Sequence, residues 1–143
     1  MLRRQFCVWL GVGALTMARQ LSGFSSSLRG KLAPGAKPAV VNQEGRIALT
    51  GDTGTMLVLA DLRLADFDFE FVGQPAGELG IFRVGPLHKR SMFVLRNGKR
   101  LMVTYWCEVC SIRTYTPGVC MCCQDETAVD LNERLESDDL GTR

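Results

Sequence analysis

Five cysteines crowd into seventeen residues near the C-terminus: Cys107, Cys110, Cys120, Cys122 and Cys123. No other feature of this 143-residue chain restricts its folding as much. Two Cys-x-x-Cys pairs, Cys107 with Cys110 and Cys120 with Cys123, flank nine intervening residues. A two-residue gap lets both sulfurs of a pair address one ion, and four thiolates in a tetrahedral array bind zinc or iron. Thr116-Pro117-Gly118 supplies a turn on the approach to the second pair. The block therefore predicts a zinc-ribbon-like hairpin with Cys107, Cys110, Cys120 and Cys123 as ligands, on a spacer shorter than the usual 15–20 or so residues.

Cys122 leaves one thiol more than a tetrahedral site needs, so it is either an additional ligand or a free thiol. Other outcomes stay open at this point. The soft donor set also suits copper(I) or iron. In an oxidising compartment the same residues could form two disulfides and one free thiol, although the adjacent Cys122 and Cys123 are poorly placed to pair with each other. Thiol redox chemistry at a Cys-x-x-Cys pair is the fourth reading, and no βαβ pattern supports it. His88 is the only histidine. It precedes the hairpin that ends at Cys107 and is a candidate extra ligand or proton shuttle, against the plain reading of a surface-loop residue. Tyr105 and Trp106 flank Cys107 and are expected to pack over the site and limit water access.

The N-terminus reads as an address. Arg3 and Arg4 precede an apolar run from Phe6 to Ala18, a charged segment followed by a signal-type hydrophobic segment. The Arg-Arg-x-Phe start resembles a twin-arginine export signal, and the run is shorter than the roughly 20 apolar residues of a membrane span. Residues 1–21 are thus expected to be a signal that touches the membrane transiently, with the protein ending in the periplasm or otherwise outside the cytoplasm. An uncleaved segment would leave it membrane-anchored, since no clean Ala-x-Ala site follows the run. Cys7 belongs to this segment and is not counted as a ligand. The twin-arginine resemblance implies export in the folded state, so a metal loaded in the reducing cytoplasm would shield the thiolates from disulfide formation outside.

Charge follows the same division. Residues 1–37 hold six of the 17 basic residues and no acid, which leaves 11 basic against 15 acidic residues, a net of −4, over residues 38–143. A mildly acidic body argues against a nucleic-acid partner, because binding a phosphate backbone needs a basic surface. Lys89, Arg90, Lys99 and Arg100 form a local basic patch that is read as a solvated face.

Residues 22–45 are rich in Ser, Gly and Pro and read as a flexible linker. A β domain is expected over 46–132. Arg46 to Thr50 is a short strand ended by Gly51-Asp-Thr-Gly54; Met56 to Leu64 favours a helical turn. Phe67 to Val72 alternates strictly, with phenylalanines on the core face and Asp66, Asp68 and Glu70 toward solvent. Leu79 to Val84 is a further strand. Met92 to Leu95, Asn97-Gly98 and Arg100 to Trp106 form a hairpin, because Asn-Gly suits a type I′ turn. Ser111 to Thr116 and Glu126 to Leu131 are β-prone, and the tail 133–143 is polar. The chain is therefore predicted to be mainly β, a small OB-like barrel or sandwich carrying the cysteine hairpin.

The run Tyr-Trp-Cys-x-Val-Cys-x-Ile-Arg-Thr-Tyr-Thr-Pro-Gly-x-Cys-x-Cys-Cys, with Asp61-Leu-Arg-Leu-Ala-Asp-Phe-Asp-Phe-Glu-Phe-Val-Gly73 upstream, resembles a family of exported bacterial proteins with no assigned activity. The resemblance spans roughly residues 46 to 132 and implies a shared architecture and no substrate. The sequence contains no Ser-His-Asp arrangement, phosphate loop or His-Glu-x-x-His motif. The expected function is a non-enzymatic binding or accessory protein with a structural zinc site and a protein or small-molecule partner. The alternative is a handler of copper or iron, or a thiol redox protein, that uses Cys122.

Overall fold

A computed structural model describes residues 25–77 and 80–133. The expected signal at 1–21, with Arg3 and Arg4, and the tail beyond Glu133 lie outside the described residues.

The first correction concerns the expected linker. Residues 26–42 form two strands of the barrel, β1 (Ser26–Ala33) and β2 (Ala39–Asn42). Their composition disguises a simple pattern: Leu32, Ala39 and Val40 are buried, while Arg29, Lys31 and Val41 point outward. Strand β3 (Gly45–Thr50) completes an antiparallel meander with β1 and β2. The domain therefore begins some twenty residues before Arg46, with β1.

Gly51-Asp52 ends β3 by starting a helix. The Asp52 carboxylate accepts from the Thr55 N–H at 2.8 Å and caps α1 (Thr53–Leu59), and it also accepts from the Leu87 N–H at 3.3 Å. An Asp at this position satisfies a backbone donor that the helix leaves unpaired. A 3-10 turn, Leu62–Leu64, follows. Together the two segments realise the helical turn expected over 56–64 and bury Val58, Leu59 and Leu64 against the barrel.

Strand β4 (Asp68–Pro75) pairs antiparallel with β1, and β5 (Ile81–Val84) pairs antiparallel with β4 and parallel with β3. The ring β1-β2-β3-β5-β4 is thus closed, with the helix between its third and fourth strands. This is the OB-like barrel that the strand spacing predicts. Phe69 and Phe71, fully buried and stacked with centroids 5.2 Å apart, fill it together with Leu32, Val40, Leu49 and Phe82. Each such side chain contributes about 1.5–3 kcal/mol on burial.

Strand β4 is also the branch point. Its Phe69–Phe71 stretch pairs with β6 (Met92–Arg96), while Gly73–Pro75 on the same edge pairs with β5. Gly73 marks the handover, and a Cβ there would overlap the carbonyl oxygen of Arg83 across the pair. The hairpin of β6 and β7 (Lys99–Cys107) turns at Asn97 (φ 53°) and Gly98 (φ 74°), both left-handed as the type I′ reading requires. Strand β7 carries β9 (Ala128–Glu133) along one edge, and β8 (Ile112–Thr114) beyond β6 on the other.

Glu70 departs from the expected alternation. Asp68 faces solvent, but Glu70 is only 2% exposed. Its carboxylate accepts both arms of the Arg100 guanidinium at 2.8 Å, the Ser27 hydroxyl at 2.8 Å and Arg29 at 3.4 Å. Burial works against the charge, yet the Ser27 and Arg100 hydrogen bonds and the two guanidinium charges outweigh it and hold the carboxyl below its ordinary pKa. Glu70 therefore joins β1, β4 and β7 at the seam between barrel and hairpin. Within the basic patch, Lys99 and Arg100 are exposed as a solvated face requires, although Arg100 also serves Glu70 and Lys99 pairs with Glu133 at 2.6 Å.

Candidate metal centre

Strand β7 delivers Cys107 at its last residue, and the chain turns at once. The Cys110 N–H donates to Cys107 Sγ at 3.5 Å, and Ser111 adopts a left-handed φ of 53° before β8 pairs back, Ile112 opposite Cys107. The second pair repeats this construction. The Cys122 N–H donates to Cys120 Sγ at 3.4 Å, and Gln124, the residue after Cys123, is left-handed at φ 65°. Cys120 and Asp125 close that turn with an N–H to carbonyl bond of 2.7 Å, and Val119 bridges Glu126 below it. Two similar turns therefore face each other, each with amide hydrogens aimed at its first sulfur. Non-glycine residues seldom adopt this backbone conformation, and Ser111 and Gln124 accept it at the same step of both turns.

The result is convergence. The Sγ atoms of Cys107, Cys110, Cys120 and Cys123 all lie within 4.8 Å of one another, and no disulfide joins them. An ion bound at the zinc–sulfur distance of about 2.3 Å sets tetrahedral sulfurs about 3.8 Å apart, so the four thiols could hold a metal ion with little adjustment. Cys107 and Cys120 are buried, and Cys110 and Cys123 are half-buried. Cys107 Sγ and Cys123 Sγ approach to 3.5 Å.

The electrostatics point the same way. The Cys123 and Cys122 amides lower the Cys120 thiol to about 7, against the pull of burial. The Cys110 thiol is raised, first by its neighbour Cys122, then by burial and by Cys123 and Cys120. Without a cation, the Cys120 thiolate is stabilised while Cys110 and Cys123 resist ionising beside it. A bound cation removes that conflict and lets all four ionise.

Cys122 lies beside Cys110 but is not one of the four, and it is the exposed cysteine among the described residues. His88 is not grouped with the thiols either. It is exposed on the 3-10 turn Leu87–Lys89, in an open groove of about 450 Å³ lined also by Asp52, Gly54, Arg90 and Tyr115. The expected lid is corrected too. Trp106 faces away from Cys107 by strand alternation and stacks under the Arg113 guanidinium at 5.1 Å. Tyr105 is fully buried in the core, and its hydroxyl donates to Asp61 Oδ2 at 3.0 Å.

Asp61 and Arg63, which the sequence does not single out, tie the centre to the barrel. Arg63 grips Asp61 through Nε and Nη2 at 2.9–3.2 Å, and its Nη1 donates to the Thr127 carbonyl at 2.7 Å. Thr127 in turn donates to the Gly118 carbonyl through its amide at 3.1 Å and through its hydroxyl at 2.9 Å. The pair thus holds Tyr105, two residues before Cys107, and the stem of the second turn, two residues before Cys120. Burial opposes the Asp61 charge, but the Arg63 and Tyr105 hydrogen bonds prevail and lower its pKa, while burial and the Asp61 charge raise that of Tyr105. The Asp61-x-Arg63 spacing ahead of a strand was the available sequence signal.

No family model, curated protein or solved structure matches the chain. What defines it is its own architecture: an OB-like barrel extended by a sheet whose end presents a four-cysteine centre.

Proposed function

We propose that this protein is an exported, non-enzymatic binding or accessory module whose four-cysteine centre holds a structural zinc ion. The observation that carries this reading is the approach of four sulfurs to within 4.8 Å of one another from two similar turns. Two of the sulfurs are buried, and the turns are built into the ends of β7 and of the 118–127 loop, so an ion here would order sheet elements. A closed structural site is what four thiolates and no open position provide. The Arg3-Arg4 start and the apolar run behind it support export, and the cysteine block supports membership of an exported bacterial family. The partner is a protein or small molecule.

Cobalt(II) exchange tests the centre. The expected result is the intense near-ultraviolet sulfur-to-cobalt absorption and strong visible bands of a tetrahedral thiolate site, reduced in Cys107→Ser and unchanged in Cys122→Ser. Weak six-coordinate bands in the unaltered protein would contradict the reading. Export is tested by fractionating cells that express the full chain with a C-terminal tag. The unaltered chain is expected outside the cytoplasm, and the Arg3→Lys/Arg4→Lys variant inside; equal distribution of the two would count against the twin-arginine route.

A further inference from the structure

Strand β4 hands its edge from β6 to β5 at Gly73, so β5 and β6 part from each other there. A cavity of about 250 Å³ opens at this branch, and its lining includes Gly73, Gln74, Arg83, Gly85, Lys89 and Ser91. Backbone bonds fix the frame. The Val72 N–H donates to the Ser91 carbonyl at 2.8 Å, and the Gly85 N–H donates to the Val72 carbonyl at 2.9 Å.

Ser91 is the residue that the fold leaves unexplained. It is 7% exposed, yet its hydroxyl has no hydrogen-bond partner among the described residues. Buried polar side chains are normally paired, and an unpaired one costs stability. A Cβ on Gly85 would overlap Ser91 Oγ, so the glycine keeps that hydroxyl clear. Two cations share the lining with it. Arg83 is exposed between the buried Phe82 and Val84, and Lys89 ends the 3-10 turn Leu87–Lys89. Among the described residues neither cation forms an ion pair, and no acid lines the cavity.

We propose that this cavity binds a small oxyanion, a carboxylate or phosphate group carried on a compact molecule. The Ser91 hydroxyl donates to one oxygen and gains the partner that the fold withholds from it. Arg83 and Lys89 supply the charge, and a guanidinium offers paired donors that match either group. The same two charges repel a cation. The volume falls below the roughly 300–1,000 Å³ of ordinary ligand pockets, which restricts the ligand to few atoms and excludes a nucleotide. The inference goes beyond the binding-module reading by giving a ligand a chemical class. It is independent of the cysteine centre, which contributes no residue to the lining.

The test uses the mature protein with its metal as purified. Sodium phosphate and sodium acetate are titrated separately at fixed ionic strength, with calorimetry for affinity and amide chemical shifts for location. Saturable binding is expected, with shifts centred on Gly73, Gly85 and Ser91. Tighter binding of phosphate would assign a phosphate-bearing ligand, and tighter binding of acetate a carboxylate. Arg83→Gln is expected to weaken binding about tenfold and Ser91→Ala about fivefold. Lys37→Gln, outside the lining, is expected to change nothing. Without anion, Ser91→Ala is expected to melt no lower than the unaltered protein, because only an unpaired hydroxyl is removed. No saturable binding, shifts spread over every exposed basic residue, or equal affinity in Ser91→Ala and the unaltered protein would overturn the proposal. A preparation that binds the anion but contains no metal would count against the zinc reading alone.

Discussion

At the scale of single residues the molecule depends on a few buried polar groups, each answered by a specific partner. Glu70 is the sharpest case, a carboxylate 2% exposed with four hydrogen-bond donors around it. Glu70→Ala is expected to cost about 2–3 kcal/mol in urea unfolding, toward the upper range for bonds to a charged group but short of a fully buried pair, because Arg29 and Arg100 remain half-exposed. The pH dependence has a definite sign. The folded-state pKa is depressed below 4.5, so the stabilisation is complete above that value and is lost as pH falls through the lower folded value. The unaltered protein should therefore lose more stability than Glu70→Gln on acidification below about pH 4.5, and parallel curves would refute this. Asp61→Ala strands the buried Tyr105 hydroxyl and frees Arg63 from its fork. A loss of about 1–3 kcal/mol is expected in the same unfolding measurement. Chelator-driven metal loss should also quicken, because the hold on both cysteine turns passes through this pair.

At the scale of elements the chain was legible where periodicity or turn chemistry stood alone. The Asn97-Gly98 hairpin, the phenylalanine strand and the C-terminal strands follow from alternation and from residues that accept positive φ. The cysteine turns followed from spacing. Two strands were hidden because β1 and β2 are bordered by Ser, Gly and Pro, and only Leu32, Ala39 and Val40 among their residues are deeply buried. Barrel closure, a long-range effect, makes them strands. Glu70 was misread for a related reason: alternation tells two faces apart, but where Ser27, Arg29 and Arg100 from neighbouring strands close over the second face it no longer equates that face with solvent. The two left-handed residues after the cysteine pairs were unreadable, since glycine would announce such a position and Ser111 and Gln124 do not. Gly73 offers a test at this scale. Gly73→Ala places a methyl group against the Arg83 carbonyl where β4 passes from β6 to β5, and a loss of about 1–3 kcal/mol is expected from thermal or urea unfolding. A neutral outcome would mean that the crossing has room to relax.

At the scale of the whole molecule the innermost barrel residues and the cysteine turns are distinct sets, though the sheet runs continuously between them. The buried core of Leu32, Val40, Leu49, Phe69, Phe71 and Phe82 with the helix contains no cysteine. Removing the metal should therefore leave the barrel folded and loosen residues 107–127. Amide exchange before and after chelation is expected to show lost protection in that stretch, with protection kept in β1 to β5. Uniform loss across the chain would mean that the ion is needed for the entire fold.

The central claim is that four thiolates hold one ion, and it is tested most directly by elemental analysis of the mature protein, purified without added metal, together with thiol titration. The account predicts about one zinc per chain. It also predicts that Cys122 alone reacts before chelation, and that Cys107, Cys110, Cys120 and Cys123 react only afterwards. A protein without metal that shows a single reactive thiol even after denaturation would contain two disulfides instead, and would contradict the account.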